Sequence, residues 1–377
     1  MRYLVTILFW CVLNAANSDP ALAGLAAALS SHEIDQVYLW EQRLLSGNSS
    51  ADILLSAGAL LGQHDMLRDA ATMFEKCSDR FPALFEAKYN LALARIGLND
   101  YLAAQKVIRS ASPSSVRESA AIEYLRGKIY SATGYRAEAR QSLERAYRSN
   151  PDNENYALDL ALLYIQSSAY VPAIQMLQPS LASHPESEEL AIELALSDAL
   201  AGRQAEALAV CRQLLNRNSQ LPTPRLIAAF TYCVAADYGH CETESSLGLS
   251  LPAANPYLHY LYAEALWNLN PTATARPLAE LDAALKAMRY CRACLLLRSR
   301  VFEAMKDYGA AVTDIRTVLQ QDSKSAEAWY RLATLCRRVD DARGAADAVN
   351  HYRALNEKHT SQEVESFREQ FLDIREH

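Results

Sequence analysis

Small residues recur along this chain about every 34 residues, and this recurrence restricts the fold more than any other feature of the sequence. The first column of small residues comprises Gly58, Ala92, Gly127, Ala161, Ala195, Ala229, Ala263, Ser299 and Ala333. A second column, twelve residues later, comprises Ala70, Ala104, Ala139, Ala173, Ala207, Cys241, Ala275, Ala311 and Ala345. Because helices approach closely only where neither carries a bulky side chain, the two columns predict a series of tightly crossed helix pairs.

Apolar residues between these columns have helical rather than strand spacing. Leu160, Leu163 and Tyr164 share one helix face, as do Leu177 and Leu181. A single globular core usually stops growing at about 250 to 300 residues, whereas this chain has 377. A stack in which each helix pair contacts only its neighbours avoids that limit. The pattern therefore predicts one continuous array of helix pairs.

The clearest repeat, residues 120–153, has Tyr130 in its first helix, Gly134 in the turn, Ala139 in its second helix and Pro151 at its exit. Proline at that point cannot continue the helix. Over residues 51–359 these positions resemble the tetratricopeptide repeat family. The resemblance implies an all-α, right-handed α-solenoid of about nine to ten helix-turn-helix units with a C-terminal capping helix.

The predicted units follow the exit prolines and the small columns. The nine units are residues 51–84, 85–119, 120–153, 154–187, 188–221, 222–255, 256–291, 292–325 and 326–359. One extra residue falls in the loop containing Pro113, and two fall around Pro271 or Tyr290. Residues 24–50 are predicted to form an N-terminal partial helical repeat, and residues 360–377 the capping helix.

The second helix of the unit at 222–255 departs from the family pattern. Cys241, Ser245 and Gly248 stand where alanine, a bulky apolar residue and alanine are usual. Because these side chains bury little apolar surface, we predict this helix to be the least stable of the array.

The first 23 residues do not fit the repeat. Arg2 precedes an uncharged apolar run at residues 3–13, and small residues follow at 16–18 and 21–23. This order is typical of a cleaved secretory signal, and the run is shorter than the roughly 20 residues that span a bilayer. We therefore predict a signal peptide at residues 1–23 and a periplasmic or secreted protein that is not integral to the membrane.

The charge of the chain argues against nucleic acid as a partner. Lysine and arginine number 37 against 44 aspartate and glutamate, a net charge of −7, and no basic run is present. The resemblance instead implies a protein or peptide partner. A membrane-associated complex is one setting in which we expect the chain to bind such a partner.

The cysteines leave two interpretations open. Cys291 and Cys294 form a CxxC motif at the start of a predicted helix, where the helix dipole lowers a thiol pKa. The motif indicates either a structural disulfide or a thiol-redox or metal module, although the strand and the second ligand pair typical of those modules are missing. The eight histidines are scattered and no catalytic motif occurs, so we predict no catalytic residues, no metal site and no cofactor.

In tetratricopeptide arrays the first helix of each pair lines a concave groove. The positions that carry this resemblance are Tyr89, Leu93, Ile96, Tyr124, Lys128, Leu158, Leu162, Ile165, Ile192, Leu196, Leu226, Phe230, Tyr260 and Trp267. They predict an apolar and aromatic groove for an extended peptide or an amphipathic helix, or a stripe that packs within the superhelix. The expected function is a non-enzymatic scaffold of the cell envelope. Besides the thiol-redox or metal module at the CxxC motif, the alternative is a carbohydrate-handling adaptor that uses the groove tyrosines and Trp267.

Overall fold

The computed structural model describes residues 19–288 and 290–355, and the secondary structure of these residues is helical, with no strand among them. The predicted all-α fold is therefore confirmed for the described part of the chain. The helices are α1 (Pro20–Ser31), α2 (Ile34–Ser46), α3 (Ala51–Gln63), α4 (Leu67–Arg80), α5 (Phe85–Gly97), α6 (Tyr101–Ser110), α7 (Val116–Ala132), α8 (Arg136–Ser149), α9 (Glu154–Gln166), α10 (Tyr170–Ser183), α11 (Glu188–Leu200), α12 (Gln204–Arg217), α13 (Pro222–Val234), α14 (Tyr238–Leu249), α15 (Tyr257–Leu269), α16 (Ala275–Ala287), α17 (Arg292–Ala304), α18 (Tyr308–Gln321) and α19 (Ala326–Arg338). Residues 342–355 are also helical.

The chain divides into two compact units, Met1–Glu193 and Leu194–His377, with the boundary inside α11. Within each unit the helices form successive pairs that pack on the pairs before and after them, which makes each unit an α-solenoid. None of the helices in the described segments is both long and apolar enough to cross a membrane. The predicted capping helix at 360–377, and most of the predicted signal peptide, lie outside the described residues.

The small columns mark the crossing points of the helix pairs. A Cβ atom added to Gly58 would lie 2.5 Å from the ring of Phe74, and one added to Gly127 would lie 2.6 Å from Cγ of Leu143. Each glycine is in a first helix, and the side chain that covers it comes from the second helix of the same pair. The absence of a side chain is therefore what allows α3 to meet α4, and α7 to meet α8.

The first helix pair begins earlier than predicted. Asp19 caps α1, its carboxylate accepting hydrogen bonds from the N–H groups of Ala21 (2.7 Å) and Leu22 (3.1 Å). Leu22 is fully buried in the core of the first unit. Residues 20–46 thus form a complete pair, α1 and α2, rather than a partial repeat starting at residue 24. The predicted boundary at residue 23 falls within α1, and the signal peptide itself stays a prediction.

Two connections of five residues lie where extra residues are predicted from the repeat spacing. Residues 111–115, which include Pro113, join α6 to α7; α6 has 10 residues and α7 has 17, beginning four residues before the predicted unit at 120. Ser115 caps α7 by accepting a hydrogen bond from the N–H of Glu118 at 3.1 Å. The second connection is residues 270–274, between α15 and α16. The two additional residues therefore lie around Pro271 and not around Tyr290.

The departures from the family pattern in α14 have a packing reason. Cys241, Ser245 and Gly248 are all buried. A Cβ atom on Gly248 would lie 2.8 Å from Leu258, so the small residues make room for α15. A disulfide between Cys233 and Cys241 also joins α13 to α14. The low stability of α14 is predicted from its small buried apolar surface, and the cross-link acts in the opposite direction. The low stability of this helix therefore stays a prediction.

Candidate binding groove

Three tyrosines and an ion pair form a cluster on the first helices of the first unit. Tyr89 on α5, Tyr124 on α7 and Tyr156 on α9 are exposed by only 6%, 3% and 3%. The rings of Tyr124 and Tyr156 lie with their centroids 4.6 Å apart. Lys128 Nζ is 2.6 Å from Asp159 Oδ2 and 5.2 Å from the centre of the Tyr124 ring. We call these five residues the tyrosine cluster.

Helical spacing places the members of the tyrosine cluster on adjacent faces. Lys128 follows Tyr124 by four residues, and Asp159 follows Tyr156 by three, so each pair shares one face of its helix. The ion pair then joins α7 to α9 across 31 residues of sequence. Sequence reasoning did not identify Tyr156 or Asp159. The signal that could have identified Asp159 is its position three residues before Leu162, which places both on one helix face.

The electrostatics of the tyrosine cluster keep its phenols neutral. Burial raises the pKa of Tyr124 well above its ordinary value, and the negative charge of the hydrogen-bonded Asp159 raises it further. Burial likewise raises the pKa of Tyr89 well above its ordinary value and the pKa of Tyr156 to about 12. The cluster therefore presents hydroxyl donors and one charge pair, and it holds no group suited to proton transfer near neutral pH.

Two clefts open beside the tyrosine cluster. The first has a volume of about 260 Å³ and is lined by residues of the helices from α5 to α9 that include Ile96, Lys128 and Leu162. The second has a volume of about 70 Å³ and is lined by residues of α7, α9 and α11. Asp159 and Leu162 line both clefts. Leu162 is 46% exposed although it lies between them. We call the two clefts together the unit-1 groove.

The structure separates the predicted groove residues by burial. Five are buried between helices and offer almost no surface: Tyr89, Leu93, Ile96, Tyr124 and Trp267. Eight are partly buried: Lys128, Leu158, Ile165, Ile192, Leu196, Leu226, Phe230 and Tyr260. Leu162 alone among the predicted residues is exposed. The aromatic side chains are long enough to pack on the next first helix, as Tyr124 does on Tyr156, so part of the stripe belongs to the interior of the stack.

Four predicted groove residues of the second unit lie in two apolar clusters. Leu226, Phe230 and Tyr260 pack against the core around the Cys233–Cys241 disulfide. Trp267 is buried in the neighbouring core. Burial and the charge of Glu264 raise the pKa of Tyr260 above its ordinary value. The buried rings of Tyr89, Tyr124 and Trp267 have no free face on which a sugar could stack, whereas Tyr260 is only partly buried. The carbohydrate-handling adaptor stays a prediction.

The CxxC cysteines are joined in a disulfide and are buried. Cys291 caps α17, Cys294 follows in its first turn, and their side chains are exposed by 7% and 0%. Thiol exchange requires that a thiolate reach one of the two sulfur atoms. The geometry therefore fits a structural cross-link better than a redox centre. No group of three or more metal-ligating side chains occurs in the described ranges.

The second disulfide was not identified from the sequence. Cys233 lies in the last turn of α13 and Cys241 in the first turn of α14, with a three-residue turn between the helices. A separation of eight residues across such a turn is the signal that could have identified the pair. Among the described residues, the cysteines without a disulfide are buried: Cys77, Cys211 and Cys336. Burial raises the pKa of Cys77 to about 11 and that of Cys211 to about 12, so both thiols stay protonated and unreactive.

Repeated helix pairs with small residues at their crossings define the class of protein to which the chain belongs, the α-solenoids. Residues 122–153 match the model of the tetratricopeptide repeat. The match covers one of the nine repeats that the sequence pattern predicts. A search of curated protein sequences found no match.

Solved structures with similar folds are distant in sequence. A tetratricopeptide repeat protein from Parabacteroides merdae is 16% identical, covering 67% of this chain and 98% of its own, with a TM-score of 0.48. The human IFIT1 dimer with m7Gppp-AAAA is 14% identical, covering 92% and 84%, with a TM-score of 0.49. The Cut9–Hcn1 hetero-tetramer of the APC/C is 12% identical, covering 94% and 90%, with a TM-score of 0.40. These likenesses concern the fold alone.

Proposed function

We propose that the chain is a non-enzymatic scaffold or adaptor of the cell envelope, and that it binds a segment of a partner protein in the unit-1 groove. The observation that carries the proposal is the exposure of Leu162 between two clefts. Burying an apolar side chain of this size contributes about 1.5 to 3 kcal/mol. A partner side chain in either cleft would cover Leu162 and gain part of this free energy.

The surroundings of Leu162 suit a binding surface because they are held in place. The Lys128–Asp159 pair and the contacting rings of Tyr124 and Tyr156 fix α7 against α9 beneath the groove. A surface whose side chains are already ordered loses less conformational entropy on binding. The tyrosine cluster thus acts as a rigid support, and the contacting surface is formed by Leu162 with the partly buried Leu158 and Ile192.

An exported location is part of the proposal. The apolar run at residues 3–13 resembles a signal peptide. The two disulfides, Cys233–Cys241 and Cys291–Cys294, support the same location, because such bonds persist mainly in oxidising compartments. The absence of a catalytic motif, together with the protonated thiols and phenols, supports a binding role rather than an enzymatic one.

The experiment is affinity capture from an extract of the cells that produce the protein, with the immobilised full chain and two variants. Leu162→Ser removes the exposed apolar side chain from the groove. Leu102→Ser is the matched control, because Leu102 is 82% exposed on α6 and lines neither cleft. We expect a protein that is retained by the wild type and by Leu102→Ser and is lost with Leu162→Ser. Equal retention by all three would reject the unit-1 groove as the binding site.

A further inference from the structure

The second cleft of the unit-1 groove combines carboxylates with apolar side chains. Asp159, Glu189 and Glu193 line it, and neither lysine nor arginine is among its lining residues. Glu189 is exposed at the start of α11. Asp159 is paired with Lys128, and burial raises the pKa of Glu193, so the negative charge at the entrance of this cleft of about 70 Å³ comes mainly from Glu189.

The lysine of the neighbouring cleft does not cancel this charge. Lys128 Nζ lies 2.6 Å from Asp159 Oδ2, so its charge is balanced by one carboxylate. Glu189 makes no ion pair or side-chain hydrogen bond with any residue in 19–288 or 290–355. An acidic segment, or the carboxylate at the end of a chain, would find no free cation here and would face Glu189 at close range.

The apolar part of the cleft lies beside these carboxylates. Leu158 and Leu162 are four residues apart on one face of α9, and Ile192 of α11 lines the same cleft. A ligand that satisfies both features needs a cation within one or two residues of a bulky apolar side chain. Lysine and arginine meet the first condition with long aliphatic stems that also cover apolar surface.

From this juxtaposition we propose that the unit-1 groove recognises a partner segment in which a lysine or arginine stands beside a bulky apolar residue. The cation pairs with Glu189 at the cleft entrance, and the apolar side chain packs on Leu162, Leu158 and Ile192. This inference rests on the proposed function and adds the chemistry of the partner to it. Because the ion pair is formed near the surface, it contributes more to the choice of partner than to the affinity.

The test is selection of short random peptides, displayed in solution, against the full chain. We expect enrichment of sequences that place lysine or arginine next to leucine, isoleucine, phenylalanine or methionine. For a synthetic peptide of the enriched sequence, Glu189→Gln should weaken binding about threefold and remove part of its salt dependence. Leu162→Ser should weaken it about tenfold.

Matched controls are available on α8 and α6. Glu138→Gln removes an exposed carboxylate from α8 that lines neither cleft, and Leu102→Ser removes an exposed leucine from α6. Both variants should bind the enriched peptide as the wild type does. Circular dichroism spectra of all four variants establish that each retains its helices, so that a loss of binding is not a loss of folding.

The outcomes separate this inference from the function on which it rests. Enrichment of acidic or uncharged sequences whose binding depends on Leu162 would overturn the cation requirement and leave groove binding in place. Binding that depends on Leu162 and is unchanged in Glu189→Gln would overturn it in the same way. Enriched peptides that are insensitive to Leu162→Ser, or no enrichment at all, would overturn both the inference and the proposed groove.

Discussion

Glu41 should make the first helix pair more stable in mild acid than in mild base. Its side chain on α2 is 5% exposed, and its Oε1 atom is buried without a hydrogen-bond partner in the described structure. Burial, and then the charge of Asp69 on α4, raise the pKa of Glu41 from 4.5 to about 7. The folded protein therefore holds a proton on Glu41 over a range of pH in which the unfolded chain has lost it.

The direction of the effect follows from this pKa difference. Because the folded pKa is raised, the stability contributed by the protonated form is complete below the unfolded value and is lost as the pH rises through about 7. A difference of about 2.5 in pKa, at about 1.4 kcal/mol for each unit, limits the loss to roughly 3 kcal/mol. Glu41→Gln retains the shape of the side chain and cannot acquire the charge.

The assay is urea unfolding of the wild type and Glu41→Gln near pH 5 and near pH 8, followed by circular dichroism. We expect Glu41→Gln to be more stable than the wild type near pH 8, by up to roughly 3 kcal/mol, and within about 1 kcal/mol of it near pH 5. Asp35→Asn is the control, because Asp35 is exposed on the same helix. The reasoning would be refuted if the wild type and Glu41→Gln showed the same pH dependence.

Three further predictions concern packing, cross-links and the N-terminus. Gly127→Val should lower the free energy of unfolding by about 1 to 3 kcal/mol, because its Cβ would lie 2.6 Å from Leu143. Gly239→Ala is the control and should leave the stability unchanged, because its Cβ would meet nothing closer than 4.0 Å. Equal melting temperatures of the two variants would contradict this prediction. Thiol titration of the denatured protein recovered from its own cells should find three free thiols within residues 24–377, and seven would rule out both disulfides. N-terminal sequencing of the same protein should find a start no later than Pro20, because a later cut would remove part of α1 and a start at Gly24 would take Leu22 from the core.

The helix pairs could be predicted because close packing depends on residue size, which is visible in a sequence. Gly127 appears as a small residue in a column, and the structure places the side chain of Leu143 against it. The start of α7 could not be placed in the same way. The repeat fixed the position of Gly127, whereas the N-terminus of α7 depends on a cap at Ser115 that lies outside the repeated pattern.

The groove could be predicted only in part, because a position in a repeat indicates a helix face and not the distance to the next helix. Tyr124 lies on the predicted face, yet the ring of Tyr156 covers it. The Lys128–Asp159 pair joins residues 31 apart, and its existence depends on how one pair packs on the next. Leu162 is the predicted residue whose side chain remains exposed, and neither its type nor its spacing distinguishes it from Leu158.

Photo-crosslinking inside the producing cells tests the central claim most directly. A photoreactive phenylalanine analogue at position 162, in the unit-1 groove, is compared with the same analogue at position 102 on α6, where the native leucine is more exposed. The account predicts a crosslinked protein partner at position 162 that is missing at position 102. Crosslinks of equal yield at both positions, or a partner captured only at position 102, would contradict binding in the unit-1 groove.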